Sequence, residues 1–200
     1  EVYNYQELRQ ELLSLGHVFF SQTDTEVVLH AYMQWGTQCV QKFNGMWAFV
    51  IYDRVSKKLF CSRDRFGVKP FYYSFTKSFF VFASEQKAFF TLPFVQKNLN
   101  EEAVFDYLVL GRTEHRDEGF FKGIFELMPG HNLELQISSG SIRVEKYYEL
   151  PFNTQQGQFS QKEAKKYAEN VNMLLQDSVR LRLRSDVAVG ACLSGGIDSS

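Results

Sequence analysis

The stretch LSGGIDSS, residues 193–200, concentrates the residue types that grip a phosphate. Gly195 and Gly196 lack Cβ atoms, so their N–H groups can turn toward an anion and approach it closely. Ser194, Ser199 and Ser200 add hydroxyl donors. Asp198 beside a phosphate needs a cation between the two, which points to Mg2+ if the loop binds a nucleotide. A helix starting after the loop would add its N-terminal dipole. This is not the GxxxxGK[ST] loop, since it has no lysine and the wrong spacing. Two glycines and a serine alone also suit a plain turn after a buried strand. The whole string, placed directly after the apolar run DVAVGACL, favours the anion site.

Other reactive side chains are scattered. Cys39, Cys61 and Cys192 are odd in number and lie far apart with no CxxC pair, so a disulfide framework or zinc knuckle is not expected and a reducing cytoplasm is the default. The histidines at 17, 30, 115 and 131 form no ligand pair at helical spacing. A net charge of −1 excludes a whole-chain basic field for nucleic acid or anionic membrane. No apolar run approaches the ~18 residues needed to span a bilayer, and no signal peptide opens the chain. With 44% apolar residues and 20 Phe, a substantial core can be buried.

The elements that would position these residues fall into two parts. Residues 3–16 read as a helix with Asn4 as N-cap, Glu7 three residues on and Gly16 after its end. HVFFS reads as a short strand. TDTEVVLHAYMQWG repeats the helical pattern, with Thr23 capping, Glu26 at the third position and Gly36 terminating. From residue 43 the period becomes two: MWAFVIYD, KKLFCSRD, KPFYYSF and FFVFAS are four strand-like runs, so dense in aromatics that a sheet covered on both sides is expected. NEEAVFDYLVLG is a further capped helix, and NLELQI with IRVEKYY forms a hairpin around SSGS. After residue 149 the polar, glutamine-rich ELPFNTQQGQFSQ suits a linker. A long helix follows over about 161–184, and then DVAVGACL reads as a buried strand. The basic run RLRLR suits either phosphates or the C-terminal dipole of that helix.

Two resemblances follow from these motifs. LSGGIDSS resembles the SGGxDS pyrophosphate loop of the PP-loop ATP pyrophosphatases, and LRLRSDVAVGACLSGGIDSS is similar to the entry into the synthetase domain of glutamine-hydrolysing asparagine synthetases. The motifs EVYNYQELRQELLSLGH, TDTEVVLHAYMQWG, FNGMWAFVIYD and RDRFGVKPFYY, in that order, resemble the class II glutamine amidotransferases. The resemblance implies an α+β fold: an αββα sandwich of the N-terminal-nucleophile type lacking its first strands, over residues 1–150. A linker over 151–160 and the first helix and strand of an α/β PP-loop domain over 161–200 complete the expected domains. It assigns Glu1 and Asp24 to the α-ammonium of glutamine; Asp24 read alone is equally a helix-dipole partner. It assigns Leu193, Ser194, Gly195, Gly196, Asp198 and Ser199 to ATP and pyrophosphate, with Mg2+ at Asp198. RDRFGVKP is expected to shape a turn beside the glutamine pocket, with Arg63, Arg65 and Lys69 as structural or interface charges.

The implied chemistry is an ATP-dependent amide ligase. Glutamine supplies ammonia, which attacks an adenylated carboxylate, aspartate in the named family, releasing AMP and pyrophosphate in a cytoplasmic homodimer. The family's nucleophile is a cysteine at the start of the mature chain, whose own amine acts as base. Here the first residue is Glu1, and the Asn and Gly that would precede it are absent. The expectation is an internal piece of a longer enzyme that hydrolyses no glutamine by itself. Three alternatives stay open: a paralogue amidating another carboxylate such as a sugar acid, a glutaminase serving a sugar-phosphate amidotransferase without ATP chemistry, and a regulatory module.

Overall fold

The computed structural model describes residues 1–113, 115–152, 160–185, 187–190, 192 and 194–196. They fall into two compact units, Glu1–Pro151 and Phe152–Ser200.

In the first unit, α1 (Tyr5–Ser14) and α2 (Asp24–Trp35) form where the apolar spacing is helical. Leu8 and Leu12 of α1, with Val27, Val28 and Ala31 of α2, enter one core. The Thr23 hydroxyl accepts the Glu26 N–H, and Gly36, at φ 58°, ends α2. Asn4 does not cap α1. Its side chain instead accepts the Asn44 N–H (2.8 Å) and donates to Lys42 O (2.9 Å), tying the helix to a distant loop.

HVFFS is not a strand. Its N–H groups pair with no neighbouring strand: His17 N–H donates to Leu12 O at the end of α1 (3.0 Å), and Phe20 N–H and Ser21 N–H reach the two Glu26 carboxylate oxygens at 2.8 and 2.7 Å. The Ser21 hydroxyl adds a third bond at 2.6 Å, and with the Phe20 N–H it holds the Glu26 carboxyl down at about 2.

The four aromatic runs form strands β1 (Ala48–Asp53), β2 (Lys58–Arg63), β3 (Tyr72–Phe75) and β4 (Phe80–Ala83). They do not share one sheet. With β5 (Phe125–Glu126), β6 (His131–Gln136) and β7 (Ser141–Lys146), they make a sheet ordered β1–β2–β6–β7 and a second ordered β4–β3–β5, all pairs antiparallel. The chain changes sheets between β2 and β3, within RDRFGVKP.

Alternation then sorts the side chains. Phe49, Ile51 and Phe60 face the core shared with α1 and α2, where Tyr32 stacks on Phe60 at 5.2 Å between ring centroids. Val50, Cys61 and Leu133, aligned across β1, β2 and β6, face a second core with Phe71, Tyr73 and Leu127. The four-stranded sheet is therefore covered on both faces, by helices and by the other sheet. Further along, α3 (Glu101–Leu110) is capped by Asn100 and ended by Gly111, as its sequence predicts, with most of its apolar side chains exposed. It joins the second sheet through residues 117–126: Asn100 N–H donates to Phe120 O (2.8 Å), and Glu118 bridges Phe125 of β5. Helices over one face of the four-stranded sheet and a second sheet over the other give the helix, sheet, sheet part of the expected αββα sandwich.

The second unit contains α4 (Gln161–Arg182), whose N-cap Ser160 accepts from Glu163 N–H. Arg180 pairs with Asp177 (2.7 Å) and Arg182 donates to Ser178 O (3.0 Å), so both serve the last turns of the helix. The buried strand expected over DVAVGACL is not seen in residues 187–190, where Val187 and Val189 are exposed. A strand needs a partner for its backbone groups, and the described residues of this unit include none.

Candidate functional site

The site is built around the change of sheets after β2. Asp64 is 1% exposed, and its carboxylate accepts four backbone N–H groups. Oδ1 takes Phe66 (3.1 Å) and Val68 (3.0 Å); Oδ2 takes Trp47 (3.2 Å) and Lys69 (3.0 Å). Its own N–H donates to Trp47 O at 2.9 Å. Gly67 sits inside this turn at φ 66°, where an added Cβ would lie 2.7 Å from Pro129, so the turn admits only glycine there.

The flanking arginines brace it. Arg63 donates to Lys69 O, Gly67 O and Leu127 O, and its 2.6 Å contact with Glu126 of β5 bolts one sheet to the other. Arg65 donates to Gln41 O and Phe43 O, satisfying carbonyls at the end of a 3-10 helix over Gly36–Gln41, and lies over the Tyr148 ring at 5.3 Å. Both are structural charges.

Beside this turn lies a cleft of about 270 Å³ lined by Glu1, Asp24, Thr25, Met46, Trp47 and Lys69, among others. It brings together the two acids singled out in the sequence. Asp24 opens α2 and is fixed by Val2 N–H, which reaches its Oδ2 at 3.0 Å. Glu1 exchanges two backbone bonds with Met46, its nitrogen donating to Met46 O (2.7 Å) and its carbonyl accepting Met46 N–H (2.9 Å). Gly45 makes that approach possible, since a Cβ there would stand 2.2 Å from Glu1 O. Two acidic residues and a lysine among the lining of one cleft suit a small zwitterion.

No cysteine lines the cleft among the described residues. Cys39 and Cys61 are fully buried, and burial pushes both thiols up to about 12. A larger cleft of about 910 Å³, lined in part by Glu102, Arg116, Glu118 and Glu126, contains neither expected acid. Its charges largely answer one another: Arg116 with Glu102 and Asp106, and Glu126 with Arg63.

In the second unit Ser194, Gly195 and Gly196 are exposed, and nothing lies within 4 Å of a Cβ built on Gly195. Leu193, Asp198 and Ser199 lie outside the described residues. Among those described, no group of three or more His, Cys, Asp or Glu is placed to hold a metal ion, and no helix is long and apolar enough to cross a membrane.

Sequence reasoning missed Asp64, the centre of the turn it had recognised. An acid at the end of a strand, three residues before a glycine, was the available signal.

Comparison with known families defines the class. Residues 1–148 match the glutamine amidotransferase domain, and the chain belongs to that family; residues 170–200 match the asparagine synthase family. Nearer relatives are similar along the whole chain. A putative glutamine-hydrolysing asparagine synthetase 2 of Methanocaldococcus jannaschii is 42% identical over 202 residues, and glutamine-hydrolysing asparagine synthetase 3 of Bacillus subtilis is 38% identical over 200. Each match covers 100% of this chain but only 38% and 31% of the relative, so the chain spans about a third of their length. Among solved structures, glutamine PRPP amidotransferase from B. subtilis, complexed with ADP and GMP, aligns with a TM-score of 0.49 and 20% identity over 74% of this chain and 27% of its own.

Proposed function

We propose that this chain is the glutamine site and the start of the ATP site of an amide ligase that makes asparagine from aspartate. The observation that carries the reading is the succession in one chain: a cleft joining Glu1 and Asp24 within an amidotransferase domain, then an asparagine synthase match containing Ser194, Gly195 and Gly196. In the cleft, Glu1 and Asp24 bind the α-ammonium of glutamine. In the second unit, Leu193, Ser194, Gly195, Gly196 and Ser199 hold the phosphates of ATP, with Mg2+ beside Asp198. ATP supplies the activation of the acceptor carboxylate; the loop residues orient its phosphates.

The test uses protein expressed from the whole coding region. Glutamine-dependent formation of asparagine from aspartate is expected, with one AMP and one pyrophosphate per turnover. Glutamine hydrolysis without any ATP–pyrophosphate exchange, whichever carboxylate is offered, would overturn the ligase reading. The 200-residue chain alone is expected to release no ammonia from glutamine, since its cleft holds no thiol.

A further inference from the structure

We infer that Asp64 is the positioning residue of the glutamine cleft, one carboxylate oxygen holding the two walls in register. The inference rests on the glutaminase reading of that cleft. Asp64 Oδ2 receives Trp47 N–H and Lys69 N–H together. Trp47 belongs to the segment that carries Glu1, because its neighbour Met46 exchanges both backbone bonds with Glu1. Lys69 and Pro70 form the wall on the other side of the turn and line the same cleft. A shift of Trp47 away from Lys69 therefore moves Glu1 relative to Lys69 through a single intervening residue.

The hold is strong because it is charged and dry. Hydrogen bonds to an ionised acceptor are about twice as strong as neutral ones, and a low local dielectric strengthens them further. Asp64 itself lies behind the wall and does not line the cleft, so it acts through Trp47 and Lys69.

Asp64→Asn is the informative change. It keeps the shape but replaces one oxygen by an NH2 group, which cannot accept. Turned one way, the NH2 faces the Trp47 and Lys69 donors; turned the other, those two keep an acceptor but a neutral one, so either orientation weakens their hold. In protein from the whole coding region, the KM for glutamine in ammonia release is expected to rise at least tenfold, with kcat falling less than threefold. A merely structural lesion lowers the active fraction, and so kcat, while leaving KM in place. Arg65→Met serves as the structural control. It is expected to lower the melting temperature and keep KM within twofold.

An unchanged KM in Asp64→Asn overturns the inference, as does an equal rise in Arg65→Met. If Asp64→Asn does not fold, hydrogen exchange on the wild-type protein decides. Trp47 and Lys69 amides are expected among the slowest outside the strands, and exchange at the rate of exposed loop amides overturns the inference. Wild-type protein that releases no ammonia overturns the glutaminase reading itself, whereas wild-type activity with an unmoved variant KM removes Asp64 alone.

Discussion

The two units carry similar sequence signals and resolve them differently. In the first, aromatic and aliphatic runs close into two cores on either face of a four-stranded sheet. In the second, α4 carries an apolar stripe through Val171, Leu174, Leu175 and Val179, yet each of these is at least half exposed. Amphipathicity states which face of a helix seeks cover. Whether cover exists depends on residues far away in the chain. The first unit contains both sides of its cores; the described part of the second contains one helix and no sheet.

The largest expected effect contrasts the two stripes directly. Phe60 is 1% exposed, stacked by Tyr32 and touched edge-on by Phe49, whereas Leu174 is 64% exposed. Phe60→Ala should destabilise the first unit by about 3–5 kcal/mol through lost transfer energy and the cavity left behind. Leu174→Ala should stay within about 0.5 kcal/mol. Urea titrations of the 200-residue chain followed by tryptophan fluorescence would measure both. Equal losses would show that α4 is covered as thoroughly as β2.

A second contrast concerns glycine. Gly45 lies against Glu1 O and Val2 Cα, at 2.2 and 2.9 Å from a built Cβ, and both neighbours are backbone. Gly195 has open space around it. Gly45→Ala should cost roughly 1–3 kcal/mol by overpacking and push Glu1 away from Asp24, while Gly195→Ala should leave thermal stability unchanged. Loss of the Met46–Glu1 amide contact in the NMR spectrum of the first variant, and its retention in the second, is the expected readout. A neutral Gly45→Ala would mean that the first residues do not pack as described.

The same contrast separates what was legible in the sequence. Caps and stops at Thr23, Gly36, Asn100 and Gly111 could be read because each depends on chemistry within a few residues. The β6–β7 hairpin could be read for the same reason. HVFFS reads as a strand but is not one, because the Glu26 carboxylate captures the Phe20 and Ser21 N–H groups, a competition that strand propensity does not describe. The division of four aromatic runs between two sheets was illegible, since alternation fixes a strand's faces and not its neighbours. Of the site, Glu1 and Asp24 came from resemblance. The role of Asp64 came from the structure, because its four amide partners are backbone groups and residue type shows only an acid at a strand end ahead of a glycine.

The smallest effect in energy is the sharpest test of the two units' burial. Cys39 and Cys61 are enclosed in the first unit, and Cys192 is exposed in the second. Burial raises both enclosed thiols from about 9 to about 12. A folded-state value raised above the unfolded one means that neutral-thiol burial supports the fold fully below pH 9. That support is then withdrawn as pH climbs toward 12, because only the unfolded chain gains by ionising. At pH 8 a disulfide reagent should therefore titrate one thiol at the rate of a free peptide cysteine. The other two should react only at the rate of unfolding, and Cys192→Ser should abolish the fast phase. Raising the pH from 9 to 11 should speed the slow phase through lost stability, and a Cys39→Ala, Cys61→Ala double variant should show a weaker dependence over that window. Three fast thiols at pH 8 would remove the distinction between an enclosed first unit and an open second one.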